Sequence, residues 1–126
     1  MTDTDDLKHQ YLEWTGNSLD EMAQYVADFK AGNGEPAVLK ESIYGIAHNV
    51  KGMGSGFGFP LMTEIGELMS TYLINLKNPQ DLSMDIMDAS LQSMKVIVDN
   101  AIDGDGGAKG AELVSKLKII YQKNQS

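Results

Sequence analysis

The sequence predicts an all-α protein, and three observations lead to this prediction. Apolar residues recur every three or four positions along most of the chain, which is the spacing of one helix face. No segment shows the sustained apolar–polar alternation of a half-buried strand. The 126 residues, 42% of them apolar, suffice for one domain with its own core. We therefore expect residues 1–126 to form an antiparallel up-down four-helix bundle with one or two additional N-terminal helices.

The N-terminal part is predicted to hold two helices. Apolar residues at helical spacing before residue 16 indicate a short first helix. Asn17 or Ser18 would cap a second helix, which the glycine-containing turn at 32–34 would end. We expect both to pack on the side of the bundle or to cap one end. Their apolar positions are Leu7, Tyr11, Trp14, Leu19, Met22, Tyr25, Val26 and Phe29.

Four longer helices follow and are expected to form the bundle. Pro36 and Pro60 are suited to the first turns of two of them, and Asn78 with Pro79 ends the second. A glycine-rich turn at 103–107 separates the last two. Short connections of this kind favour antiparallel neighbours. The predicted helices cover about residues 36–55, 60–77, 81–102 and 108–123.

Composition excludes several classes of function. The formal charge of −8, from 18 acidic and 10 basic residues, would repel nucleic acids and anionic membrane surfaces. Cysteine is absent, so we expect neither disulfides nor a thiolate metal site, which suits a reducing, cytoplasmic setting. We find no signal peptide and no apolar run long enough to span a membrane.

A histidine on the third predicted helix is expected to face solvent. The apolar residues of that helix fall within a stripe about 100° wide, and His48 lies about 150° from its centre. Tyr44, Lys51, Gly52 and Ser55 share the side of His48. The simplest interpretation of His48 is an exposed surface residue without a specific function, and this is the interpretation that we give to His9. The stripe comprises Leu39, Ile43, Ile46, Ala47 and Val50.

The glycines after His48 argue for a more specific role. A glycine inside a helix costs about 1 kcal/mol relative to alanine. The end of the helix explains Gly56 or Gly58 as cap or turn residues. It explains Gly52 less well, because Gly52 lies one turn from His48 on the same face. Without a Cβ there, the backbone of another protein can approach the imidazole.

The run that begins at His48 has a recognisable pattern. A lysine and a glycine follow at positions 51 and 52, and the run closes on Phe-Gly-Phe at 57–59. This pattern resembles the signature of histidine-containing phosphotransfer (Hpt) domains. It is most similar to the N-terminal phosphotransfer domain of CheA-type chemotaxis kinases. The apolar spacing of Met62, Ile65 and Met69 also fits the next helix of that family.

The resemblance implies a four-helix bundle that carries a phosphoryl group on an exposed histidine. Such domains exchange the group with an aspartate of a response-regulator receiver. By this similarity His48 is the phospho-acceptor, Lys51 the neighbouring cation and Gly52 the small residue that leaves access. We expect Tyr44, Gly52 and Ser55 to contact the docked partner.

One position departs from the family pattern. CheA-type domains usually carry a glutamate 22 residues after the histidine, which hydrogen-bonds the imidazole, and that position here is Ser70. Glu67 lies one turn earlier on the same face, so we expect it to replace the missing acid. The alternative is that Glu67 is an ordinary surface acid. Glu64 is a weaker candidate for the same role.

Cofactors and partners follow from the same resemblance. We expect no cofactor or metal in this chain and place Mg²⁺ in the partner receiver or kinase. The chain has no phosphate-binding loop and no nucleotide-binding region, so we expect no autonomous kinase activity. The expected partners are response-regulator receivers and a histidine kinase or hybrid kinase, and the expected state is a monomer. Two alternatives stay open: an isolated phosphotransfer domain of a CheA-like kinase, and a non-catalytic helical adaptor.

Overall fold

The computed structural model describes residues 3–104 and 106–124, and this part of the chain is all helical, as the sequence predicts. It contains five α-helices and no strand. None of these helices has the length and apolar character needed to cross a membrane. The helices are α1 (Asp3–Lys30), α2 (Pro36–Gly54), α3 (Pro60–Asn75), α4 (Met84–Asp99) and α5 (Gly107–Asn124).

The N-terminal segment forms one long helix instead of the two that we expected. Ser18 does not cap a new helix, because its hydroxyl donates to the carbonyl oxygen of Trp14, one turn back, at 3.1 Å. Gly16 is also helical, and a Cβ there would meet only Val98 Cγ1, at 3.9 Å. Tyr11 and Leu19, on either side of the expected break, are both buried. Packing of one continuous apolar face therefore overrides the local capping signal.

The helix contacts form a closed ring. α1 packs against α2 and α4, α2 packs against α3, and α3 packs against α4. α5 packs against α3 and α4. The N-terminal helix, which we expected on the side or at one end of a bundle of the four later helices, therefore belongs to the ring. The largest fully buried side chains come from α1–α4 and the residue before α3: Tyr11, Met22, Ile43, Phe59, Met62, Ile65, Met69, Leu73, Ile86, Met87, Met94 and Ile97.

The glycine-rich segment after α2 is a compact connection. A 3₁₀ turn at Ser55–Phe57 follows the helix, and Gly58 then adopts a positive φ of 90° that favours glycine. A Cβ on Gly54 would lie 2.9 Å from the carbonyl oxygen of Phe59, so only glycine fits. The Thr63 hydroxyl of α3 donates to the Lys51 carbonyl oxygen at 3.1 Å and accepts from the Ser55 amide at 2.8 Å. These bonds fix the end of α2 against the start of α3.

Candidate functional site

His48 lies on the solvent face of α2, as its position on the helical wheel predicts. Its side chain is exposed, and its neighbour Ala47 is fully buried. Ile46 is the one member of the predicted stripe that is only partly buried. The amphipathic pattern of α2 therefore orients the imidazole outward. The buried members of the stripe are Leu39, Ile43, Ala47 and Val50.

Among the described residues, one aromatic ring lies against the imidazole of His48. Tyr44, one turn earlier, stacks beside it with ring centroids 5.9 Å apart and planes inclined by 24°. No hydrogen bond joins the side chain of His48 to any residue within the described ranges. Its ring nitrogens are therefore available to water or to a partner, while Tyr44 restricts the orientation of the ring.

Lys51 and Glu67 form an ion pair beside this histidine. Lys51 Nζ lies 3.0 Å from Glu67 Oε2, which joins α2 to α3. The Lys51 side chain is 26% exposed and that of Glu67 is 60% exposed. The carboxylate that we expected to hydrogen-bond the imidazole therefore contacts the neighbouring ammonium instead.

Gly66 explains why these two charges meet. A Cβ on Gly66 would lie 2.8 Å from Lys51 Cβ and 3.1 Å from the carbonyl oxygen of Ala47. The missing side chain therefore lets α3 approach the backbone of α2 closely, and Glu67 follows in the next position. Sequence reasoning missed Gly66. The available signal was a lone glycine within a strong helical pattern, which usually has a packing reason.

Neither Ser70 nor Glu64 places an acid against His48 in the described part of the chain. Ser70, which stands where CheA-type domains have a glutamate, is buried, and its hydroxyl has no hydrogen-bond partner among the described residues. Glu64 Oε1 lies 3.8 Å from Lys118 Nζ on α5. Among the side chains that the structure describes, no cluster of three or more histidines, aspartates and glutamates could hold a metal ion. Neither Ser70 nor Glu64 therefore supplies the family acid.

Three glycines leave open space on the surface near His48. A Cβ built on Gly45, Gly52 or Gly56 would meet no described residue beyond its own helix turn within 4 Å, so internal packing does not require these glycines. Gly45, which sequence reasoning missed, lies three residues before His48, and Gly52 lies four residues after it. Met53, beside Gly52, is 39% exposed. Open surface therefore flanks the imidazole along the helix in both directions.

The three residues expected to contact a partner differ in accessibility. Gly52 and Ser55 are exposed, and Tyr44 is partly buried. The Ser55 hydroxyl is hydrogen-bonded to Thr63 Oγ1 at 3.1 Å. Tyr44 also lines an open groove of about 450 Å³ between α2 and the C-terminal part of α3, where Ile74 is 63% exposed. An apolar surface thus begins one turn from His48.

Comparisons with known proteins assign no family to the chain. No protein-family model matches it, and neither a curated protein nor a solved structure matches it. The residue pattern at 48–69 and the geometry around His48 are therefore the features that indicate a function.

Proposed function

We propose that this protein is a histidine phosphotransfer protein of a two-component phosphorelay. His48 accepts a phosphoryl group and exchanges it with the aspartate of a response-regulator receiver domain. The observation that carries the proposal is the imidazole itself, which is exposed, free of hydrogen bonds to the described residues and flanked by glycines. Lys51 lies one turn from it, within a run that resembles the Hpt signature.

The chemistry requires few groups from this chain. A lone pair on an imidazole nitrogen of His48 forms the P–N bond while the P–O bond of the aspartyl phosphate breaks. The bonding electrons leave with the aspartate carboxylate, and the reverse transfer follows the same path. Because the transition state of phosphoryl transfer is loose, catalysis consists mainly of alignment and charge stabilisation. His48 supplies the nucleophile, Lys51 a nearby positive charge, and the receiver the remaining groups together with Mg²⁺.

The glycines of α2 support the need for close access. Gly45 and Gly52 each cost the helix about 1 kcal/mol relative to alanine, and no internal contact requires them. A docked receiver explains the two glycines, because its backbone must come close enough to bring an aspartyl phosphate in line with the imidazole. Tyr44, Gly52 and Ser55 form the surface that it contacts.

The setting of the site is part of the proposal. The ring of contacts among α1–α4 supports the up-down four-helix bundle that the Hpt resemblance implies. The formal charge of −8 supports a protein partner over a nucleic acid. We propose a cytoplasmic monomer that takes phosphoryl groups from a histidine kinase or hybrid kinase.

A second candidate is the phosphotransfer domain of a CheA-like kinase. The Phe-Gly-Phe sequence at 57–59 favours it, because that ending is typical of CheA-type domains. The same bundle and the same histidine would then receive the phosphoryl group from the ATP-binding domain of the kinase. The two candidates differ in the donor and not in the chemistry of His48.

A phosphotransfer profile tests the proposal and separates these candidates. The protein is incubated in turn with ³²P-phosphorylated receivers and with ATP-charged kinase domains of its organism. We expect an acid-labile, base-stable label, as for a phosphohistidine. Labelling by receivers supports the phosphorelay protein, whereas labelling by a CheA-like kinase domain alone supports the second candidate. Binding to these partners without any label would overturn both and identify a helical adaptor.

A further inference from the structure

We propose that Glu67 is a positioning residue that holds the Lys51 ammonium beside the unphosphorylated histidine and releases it to the phosphoryl group on His48. This inference rests on the proposed function. It assigns Glu67 a role different from that expected from the sequence, since the carboxylate acts through Lys51 and not on the imidazole. We call the pair of Lys51 and Glu67 the charge latch.

Packing against Gly66 holds the backbone and Cβ of Lys51 in place. The Lys51 backbone and Cβ pack against Gly66, whose own Cβ would come within 2.8 Å of Lys51 Cβ. The side chain of Lys51 is only 26% exposed, so the covered stem has little freedom. The ammonium at its end is therefore the part that can move between two nearby partners.

His48 offers the second partner once it is phosphorylated. Lys51 follows His48 by three residues, so the two side chains are neighbours on the surface of α2. A protein-bound phosphoryl group carries a charge of about −1.5 to −2 at pH 7 and presents three strong acceptor oxygens. The Glu67 carboxylate carries one negative charge, so the phosphoryl group competes well for the ammonium.

Glu67 is suited to giving up its partner. Its side chain is 60% exposed, and an ion pair whose carboxylate is open to water contributes little to stability. Water can solvate the carboxylate after Lys51 leaves, and Glu67 Oε1 already lies 3.5 Å from the Thr71 hydroxyl. The unphosphorylated state is thus stabilised slightly by the latch, and phosphorylation must break it.

The expected consequence is a shift in the phosphotransfer equilibrium. Glu67→Gln removes the competing charge and leaves Lys51 free for the phosphoryl group. We expect the equilibrium constant for transfer from a phosphorylated receiver to His48 to rise about two- to fivefold, as the range for exposed ion pairs suggests. Glu67→Asp keeps the charge and should lie closer to the wild type than Glu67→Gln.

A double-mutant cycle separates the latch from simple charge repulsion. Glu67→Gln is measured in the wild-type protein and in Lys51→Gln, with a phosphorylated receiver as donor and the labelled fractions at equilibrium as readout. The latch requires that the effect of Glu67→Gln largely disappear in the Lys51→Gln background. Glu112→Gln removes the carboxylate of an exposed ion pair with Lys116 on α5 and is the matched control. It should leave the equilibrium constant for phosphotransfer unchanged.

The outcomes distinguish this inference from the proposed function. If the wild type takes no label on His48, both fail together. If the wild type takes label and Glu67→Gln leaves the equilibrium constant unchanged, the charge latch alone is wrong. The charge latch is also wrong if Glu67→Gln has its full effect without Lys51, since the carboxylate would then act on the phosphoryl group directly.

Discussion

Gly66 of α3 packs closely against Lys51 of α2. A Cβ on Gly66 would stand 2.8 Å from Lys51 Cβ and 3.1 Å from Lys51 Cα. Because Lys51 follows His48 by one turn, this packing contact fixes the backbone that presents the imidazole. The same contact brings Glu67 within 3.0 Å of the Lys51 ammonium.

Replacement of Gly66 by alanine should therefore destabilise the protein. The new methyl group must push two backbones apart, and such overpacking typically costs about 1–3 kcal/mol. Better helix propensity offsets up to about 1 kcal/mol of this. We expect a net loss of about 1–2 kcal/mol in the free energy of unfolding, measured by urea denaturation. Gly52→Ala is the control, because nothing lies within 4 Å of its added Cβ, and it should be neutral or stabilising. Equal stability of the two variants would contradict the close contact.

Gly52→Gln should slow phosphotransfer without changing the fold. The longer side chain projects from an open surface one turn from His48 and obstructs the docked partner. We expect the transfer rate to fall about tenfold or more, because misplacing reacting groups by about 1 Å can cost about a hundredfold. Ala27→Gln, at an exposed position of α1, is the control and should transfer normally. An unchanged rate in Gly52→Gln, measured at phosphorylated-receiver concentrations below saturation, would refute the access argument.

Ser70 should respond to substitution as a core residue. Its buried hydroxyl has no hydrogen-bond partner in residues 3–104 and 106–124, so Ser70→Ala should raise the free energy of unfolding by about 1 kcal/mol. Ser70→Glu introduces the glutamate that CheA-type domains carry but places a carboxylate in the core, and it should lower the free energy of unfolding by more than Ser70→Ala raises it. Thermal denaturation measures both effects. A Ser70→Glu protein as stable as the wild type would show that position 70 reaches the surface.

Tyr121 should make stability fall at alkaline pH. Burial raises the pKa of Tyr121 to about 12, against a lowering by its hydrogen bond to Ser90. The pKa of tyrosine in the unfolded chain is near 10. The contribution of Tyr121 to the free energy of unfolding is therefore complete below about pH 10 and is lost as pH rises through 12. We expect a loss of about 2 kcal/mol over this interval. Tyr121→Phe should lack this component in pH-dependent urea denaturation, whereas Tyr25→Phe, at an exposed position, should keep it.

Much of the fold could be predicted from the sequence, because helical periodicity is strong and the turns are marked by glycine and proline. Pro36 and Pro60 start α2 and α3 as expected. The error at Ser18 has a physical cause, since a hydroxyl that caps a helix can equally bond one turn back within it. Only the packing of the whole of α1 decides between the two.

The candidate site was predictable only where it depends on a single helix. The outward orientation of His48 follows from the apolar stripe of α2, and its exposure agrees with that expectation. The pairing of Lys51 with Glu67 depends on the register between two helices, which Gly66 sets and which no local pattern encodes. The burial of Ser70 has the same origin, because it depends on how α3 is rotated against its neighbours.

Transfer of ³²P from a phosphorylated receiver to the wild type, His48→Gln and His9→Gln tests the central claim most directly. These are the two histidines of the chain, and both are exposed, so both are open to adventitious labelling. The proposal predicts acid-labile label on the wild type and on His9→Gln, and none on a folded His48→Gln. Undiminished label on His48→Gln would contradict it.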